Sequence, residues 1–321
     1  MKLPGLLYSL ACLAACLPAV APSLAGGPWW LDLASHFQFP ACVFLALLGL
    51  GTMLARRLLL GALLLVCATT CGYRLLPALL GPSLVGPPAA AQVVANQLKV
   101  SVVNVQYSNQ DRASVLSEIR KNDPDVLLVL ELTEEWAEAL VPLKEVLLPY
   151  FIEETKAGSF GIGVYAKAPI EQAEVLPSLG TAGTPAVRGI LETRYGKVGF
   201  LGLHLPPPVD RDSSKRRDAG LAAVAGAVAE LPSRRIVAGD FNATPWSRPF
   251  QRMLEQSALL DAAPGHGVQG TWPAQLPGLF RVPIDHVLVS PGFGVSRYAN
   301  SGTIGSDHLA RHATLVMPDA H

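Results

Sequence analysis

After Cys71 the chain contains no cysteine. Everything beyond that point therefore forms no disulfide and runs no thiolate chemistry, so cysteine usage leaves the redox compartment open. The five cysteines, Cys12, Cys16, Cys42, Cys67 and Cys71, lie within or beside apolar runs and read as small buried hydrophobes. Charge is the second scarcity. Only 16% of the 321 residues are Asp, Glu, Lys or Arg, and residues 1–95 hold just Lys2, Asp32, Arg56, Arg57 and Arg74. Taking these five from the chain's 25 basic and 25 acidic residues leaves 21 and 24, a net charge of −3 for residues 96–321. The broad positive field of a non-specific nucleic-acid binder is missing. Internal repeats are also lacking.

What the opening region has instead is long apolar runs. Residues 3–24 and 37–54 are uncharged, and 58–80 is interrupted only by Arg74. A membrane span needs about 20 apolar residues, so the expectation is a membrane region over 1–80 with about three spans (3–24, 37–54 and 58–80). Arg74 then snorkels to an interface, and Trp29-Trp30 stand where an aromatic belt would. Lys2 precedes the first run and Arg56-Arg57 separate the second from the third. The positive-inside rule places these in the cytoplasm and delivers the rest of the chain to the outer side of the inner (cytoplasmic) membrane. The alternative is a cleaved signal peptide, with Ser23-Leu24-Ala25 as its small-residue site. Residues 81–97, rich in Pro, Gly and Ala, read as a semi-extended linker.

From Lys99 the pattern turns α/β. Apolar strands are expected at 99–106, 125–131, 161–167, 234–240, 284–290 and 311–318, with a hairpin over 190–205 turning near Tyr195-Gly196. Residues 111–122 carry Ala113, Leu116 and Ile119 at helical spacing and stop at Asp123-Pro124. Thr133 is a plausible N-cap for one helix over 134–148, and 213–231 reads as a long alanine-rich helix. Hairpins and consecutive strands argue against a purely parallel sheet. Residues 98–318 are therefore expected to form one domain with a mixed two-sheet core and flanking helices.

The acids fall where strands end. Glu131 closes the apolar run Val126–Leu130, and Asp240 closes Ile236-Val237-Ala238-Gly239. Asp285 opens another apolar strand, and Asp307 precedes the last one. Singly, each reads as a cap or a loop ion pair. Together, carboxylates gathered at one mouth suit a hard cation such as Mg²⁺ or Mn²⁺. Gly239-Asp240-Phe241-Asn242 sets a carboxylate and a carboxamide two residues apart on one side of an extended segment, with Gly239 allowing close backbone approach. Ser306-Asp307-His308 sets an acid beside an imidazole, which Asp285 could orient. Arg188 could clamp a phosphate. His286, next to Asp285, alternates to the opposite face and reads as packed core. His266, His312 and His36 show no partners in the sequence. Lys215-Arg216-Arg217 reads as a solvated helix face.

These positions carry a resemblance. Asn104 in VVNVQ, Glu131 in VLLVLE, His204 in GLHLPP, GDFN at 239–242, Asp285 in PIDHVLVS and SDH at 306–308 stand in the order seen in the endonuclease/exonuclease/phosphatase family. That family includes DNase I-like nucleases, abasic-site endonucleases, inositol-polyphosphate phosphatases and neutral sphingomyelinases. The resemblance spans about residues 98–318 and implies a four-layered αββα sandwich. It implies Glu131 as metal ligand, with Asn104 and Asp307 supporting the metal or its water shell. Asp240 would orient the attacking water or move a proton, and Asn242 would hold a phosphate oxygen. His308, paired with Asp285, would be base or transition-state donor, and His204 would touch the phosphoryl group. The region between Glu131 and His204 offers no tyrosine placed as nucleases of the family carry one. Basic loops interleaved with aromatics, expected for gripping DNA, are missing too.

The implied function is divalent-metal-dependent hydrolysis of a phosphoester by a membrane-tethered, extracytoplasmic domain, with the bilayer as a partner through the N-terminal helices. A nuclease acting on DNA or RNA is the alternative, disfavoured by the charge. A catalytically dead, tethered binding module is the third, disfavoured because every expected catalytic position is filled.

Overall fold

The computed structural model of the chain describes residues 3–24, 27–81 and 96–317. Most of the expected 81–97 linker, and Ala25 of the expected cleavage triplet, lie outside the described residues.

The apolar opening folds into helices. α1 (Leu3–Ala15), α2 (Leu17–Val20) and a 3₁₀ turn at Ala21–Ser23 follow one another. They make a 20-residue apolar stretch, Pro4–Ser23, long enough to cross a bilayer. α5 (Leu58–Leu80), 23 residues long, is the second such stretch. The middle run differs from expectation. α4 (Gln38–Leu54) is joined to α3 (Trp29–Ser35) through a 76° bend, a broken span or a re-entrant segment rather than a straight crossing. Leu54 and Leu59 are 85% and 90% exposed, whereas Cys12, Cys16, Leu45, Leu64, Cys67 and Cys71 pack together inside. All five cysteines are free. At one end of the bundle Arg57 Nη1 donates to the Gly5 carbonyl (3.4 Å). At the other, Arg74 donates to the Ala19 carbonyl and to Ser23 Oγ (2.9 Å). The basic residue inside the third run is thus satisfied by the ends of the first.

The remainder is a sandwich of two six-stranded sheets. The first runs β11 (Gly294–Asn300), β12 (Arg311–Val316), β1 (Gln97–Asn104), β2 (Val126–Leu130), β4 (Ile162–Ala166), β3 (Tyr150–Glu154). The second runs β5 (Ile170–Leu176), β6 (Ala186–Thr193), β7 (Gly196–His204), β8 (Arg235–Asp240), β10 (Asp285–Val289), β9 (Leu260–Asp261). Val100, Val102, Leu128 and Val164 of one sheet meet Phe200, Ile236 and Val287 of the other in the central core. The outer face of the first sheet is covered by α6 (Arg112–Asn122), α7 (Glu134–Ala139) and α8 (Val141–Val146), which supply Val115, Ile119, Trp136 and Leu143. The outer face of the second is covered by α9 (Arg211–Ala229) and α10 (Arg248–Ser257), through Leu221, Val224, Phe250 and Met253. Helix, sheet, sheet, helix is the expected four-layered αββα order.

Local chemistry sets several boundaries. Asp111 caps α6 by accepting from Ser114 N (3.0 Å), and Asp123 ends it in the left-handed region (φ 47°). The buried face of α6 is Val115 and Ile119 rather than Ala113 and Leu116. Thr133 caps α7 through Trp136 N (3.3 Å). The single helix expected over 134–148 breaks at Leu140, where Pro142 enters the first turn of α8 without an N–H to donate.

Candidate active site

The topology gathers the strand ends. β1 and β2 are parallel, so Asn104 and the residue after Leu130 finish at the same edge. β7 and β8 are also parallel, with His204 opposite Asp240. β10 and β12 are antiparallel to these neighbours, so their beginnings, not their ends, reach that edge: Asp285 lies opposite Asp240, and residues 306–308 lead into β12. Gly239 lets the end of β8 sit close to β7. Its φ is +152°, and a Cβ there would stand 1.9 Å from the Leu203 carbonyl oxygen.

A buried titrating group forms where the acids of the second sheet meet His308, which comes from the turn before β12 of the first. His308 Nδ1 lies 2.9 Å from Asp285 Oδ2, and His308 Nε2 lies 3.7 Å from Asp240 Oδ2. Burial alone would lower the His308 pKa, but the charges of Asp285, Asp240 and Asp307 and the Asp285 hydrogen bond raise it to about 10. Asp285 is pulled the other way. Its burial penalty is overcome by the charge and hydrogen bond of His308, which hold it below the usual carboxylate range. Burial, and then the charge of Asp285, push Asp240 well above that range. Asp240 Oδ1 accepts from Asn242 N (2.9 Å), and Asn242 Nδ2 donates to the Leu205 carbonyl (2.8 Å), with Asn242 left-handed at φ 47°. His204, buried beside Phe160 (ring centroids 5.2 Å apart), has its pKa depressed to about 4 by burial and by the His308 charge. Its Nε2 is 3.6 Å from Asp240 Oδ2.

The first sheet contributes oxygens. Glu131, left-handed at φ 60°, accepts from Asn104 Nδ2 (3.2 Å) and Tyr107 N (3.0 Å). Burial raises its pKa despite those donors. Asp307 Oδ2 accepts from Trp272 Nε1 (3.2 Å), and its own N donates to Gln106 Oε1 (3.0 Å). Ser306 Oγ donates to the Asn104 carbonyl (2.7 Å) and accepts from His308 N (3.0 Å), which splices the SDH turn to the end of β1.

These residues lie within or at the edge of a stretch, residues 102–308, that matches the model of the endonuclease/exonuclease/phosphatase family. The chain belongs to that family. Members of the endonuclease/exonuclease/phosphatase family are generally hydrolases of phosphoesters that use divalent metals. No curated protein matches the chain. Among solved structures it is similar to a family member from Beutenbergia cavernae, at 18% identity and a TM-score of 0.56 over 70% of this chain and 72% of that one. It is also similar to D. rerio TDP2 solved with a single-strand DNA product, at 18% identity and TM-score 0.55, over 68% of this chain and 98% of that one. The human Nocturnin catalytic domain with bound sulfate is similar at 17% identity and TM-score 0.53, over 68% and 94%. At such identities the likeness is one of fold.

Eight of the nine expected site residues come together at this edge of the sandwich. Arg188 stands apart. It lies on β6, and its guanidinium is taken up by Glu174 (Nη2 to Oε2, 2.8 Å) and Glu230, so it is not free to clamp a phosphate. His286 behaves as expected: it is buried, packs on Phe250 (4.6 Å) and reaches the Ala243 carbonyl (3.0 Å). His312 does not lack partners, being 2.8 Å from Ser101 Oγ and 3.2 Å from Glu118 Oε1. Sequence reasoning missed Gln106, Tyr107, Thr271 and Trp272, which support the acids. Only Gln106, two residues past Asn104 in VVNVQ, stood close enough to a motif to be noticed.

The donor set fits a metal. Asp285 Oδ1 and Asp307 Oδ1 are buried with no hydrogen-bond partner, and burial leaves Glu131 and Asp240 short of compensation. Among the described residues, Asp240, Asp285 and His308 form a group whose ligand atoms lie within 4.8 Å of one another. A His308 that holds its proton has no lone pair to give. The oxygen-only set of Glu131, Asp307 and Asn104 is therefore the better match to a hard divalent cation.

Proposed function

We propose that the chain is a membrane-tethered hydrolase that cleaves a phosphoester with a divalent metal held by Glu131, with Asp307 and Asn104 supporting it. The observation that carries this reading is the convergence of four carboxylates, two buried histidines and two carboxamides on one edge of the sandwich, delivered by six strands. The metal, Mg²⁺ or Mn²⁺, supplies charge neutralisation at phosphorus. The chain's own residues supply the rest. Asp285 stays ionised and keeps His308 protonated, so His308 serves as a donor to the phosphoryl oxygens rather than as the base. Asp240, given the higher proton affinity of the two buried acids by its surroundings, is the group that takes the proton from the attacking water, entering the step as the carboxylate and leaving it as the acid. Neighbouring acids pushed apart in this way mark an acid–base division. Asn242 has one amide hydrogen on Leu205 and a second for a phosphate oxygen. Neutral His204 faces the same centre.

For location, we propose that Pro4–Ser23, the bent α3–α4 pair and α5 sit in the inner membrane, with the sandwich on the extracytoplasmic side. Arg57 lies at the end of the bundle near Gly5, and Arg74 at the end near Ser23. The sandwich attaches at the Arg74 end, as the positive-inside rule requires of Arg56-Arg57. A C-terminal phosphatase reporter should be active outside the cell, and activity confined to the cytoplasm would reverse the orientation.

The decisive experiment uses the full chain in detergent with Mg²⁺ or Mn²⁺. A chromogenic phosphodiester, plasmid DNA, RNA, phospholipid vesicles and inositol phosphates serve as substrates. Hydrolysis that EDTA abolishes supports the reading. Cleavage of nucleic acid alone selects the nuclease alternative, and silence on every substrate selects the inactive module.

A further inference from the structure

Of the basic triplet on α9, Lys215 and Arg216 are exposed as a solvated face requires, but Arg217 turns inward and is 1% exposed. A buried guanidinium is tolerated only when its charge and donors are matched, and the partners here come from two parts of the molecule. Nη2 donates to Asp32 Oδ2 on α3 (2.7 Å) and to Asp218 Oδ1 (2.7 Å), and Nε donates to Asp218 Oδ1 (2.9 Å). Nη1 donates to the carbonyl of Asn242 (3.2 Å). A membrane-side carboxylate is therefore one guanidinium away from the backbone of the residue assigned to the phosphate.

Two further ties follow within the next six residues. Trp246 Nε1 donates to the Arg74 carbonyl at the end of α5 (3.1 Å). Arg248 Nε donates to the Pro22 carbonyl (2.8 Å). Between them Ala243, Thr244 and Ser247 are fully buried. The segment 242–248 thus runs from the catalytic edge into the helical bundle and is held there at three points. Asn242 needs holding: a non-glycine residue at φ 47° is in a sparsely populated conformation that its surroundings must enforce.

We propose that the N-terminal helices are a working part of the catalytic centre, with Asp32 and Arg217 acting as positioning residues that set Asn242 for the phosphate. The role given to Asn242 rests on the reading under Proposed function; the mechanical coupling does not. Asp32→Asn removes the membrane-side charge while Asp218 still neutralises Arg217, so the fold is retained. Displacing a substrate-orienting group by a fraction of an ångström is expected to lower kcat about 10-fold, since misplacement near 1 Å can cost about 10²-fold.

The test uses the full chain in detergent with Mg²⁺ and bis(p-nitrophenyl) phosphate, read alongside amide hydrogen exchange. Asp32→Asn should lower kcat and speed exchange in a peptide covering 239–248. In an Asn242→Ala background it should lower kcat no further, because residues acting as a unit are non-additive. Trp246→Phe, which keeps an aromatic ring and deletes the donor to Arg74, should reproduce the pattern more weakly and stands in if Asp32→Asn fails to fold. Multiplied losses in the double variant, or unchanged exchange at 239–248, would overturn the proposal and leave Arg217 a structural tie. If wild type is inactive on every substrate, the functional reading fails, and exchange alone decides the coupling.

Discussion

The two sheets bring different chemistry to the same edge. The first supplies Asn104, Glu131 and the Asp307 turn, with Glu131 and Asp307 only partly buried and held by backbone and indole donors. The second supplies His204, Asp240 and Asp285, all at most 4% exposed, with His308 turned toward them. Burial decides the difference. A carboxylate that keeps some exposure, as Glu131 does, can exchange water for a metal at modest expense, whereas fully buried acids and imidazoles have their proton affinities driven apart. On the proposed mechanism the first half would hold the cation and the second would hold and move the proton.

The largest expected effect tests the first half. Glu131→Gln keeps size and hydrogen bonding and removes the ligand charge. Activity should fall by orders of magnitude and recover little at higher Mg²⁺. The rise in melting temperature that Mg²⁺ gives the wild type should vanish with it. Unchanged activity in EDTA would end the metal reading altogether.

The second half should yield less. His308→Ala should lower kcat by about 10²- to 10⁴-fold, the usual range for a positioned acid or base. Asp285→Asn should lower it less, because the imidazole remains but loses its orientation and its charge partner. The double variant should be little worse than His308→Ala alone. Additive losses, or a strongly destabilised His308→Ala, would remove the pair from the mechanism.

Within both halves, core and edge were unequally legible. Strand ends in the core show in sequence because an apolar run stopped by an acid is a local signal, as at Val126–Glu131 and Ile236–Asp240. Register then does the rest without further information, since parallel β1–β2 and β7–β8 can only finish together. Edge strands lack that signal. β5 is exposed over Glu171–Glu174, and β3 is nowhere fully buried, so neither shows an apolar run or clean alternation. The helix α10 has few apolar residues and was missed for the same reason. Arg217 was misread because its partners, Asp32 and Asn242, are distant in sequence; a charge run carries no mark of which member turns inward. The bend between α3 and α4 depends on packing in the bundle, and the length of an apolar run does not encode it.

The smallest effect sharpens the comparison with a control outside the site. His308 and His312 stand four residues apart, both buried, yet their shifts oppose each other. His308 is raised to about 10, with the acids around it outweighing its burial. For His312 burial dominates over Glu118, and its pKa falls to about 4. The consequences for stability have opposite signs. A group raised on folding stabilises fully below its unfolded value near 6.5, and the benefit fades as pH rises toward 10. A group lowered on folding stabilises above about 6.5, and the benefit fades as pH falls toward 4, because the unfolded chain takes up the proton first. His312 should therefore make the sandwich acid-labile over pH 6.5 to 4, by on the order of 1–3 kcal/mol. His312→Gln can keep a hydrogen bond to Ser101 but cannot titrate. Melting temperature measured against pH should fall less steeply for this variant than for wild type across that window, while the two run parallel from pH 7 to 9. Parallel curves down to pH 4 would mean that His312 takes up its proton in the folded chain as readily as in the unfolded one, with Glu118 cancelling the effect of burial.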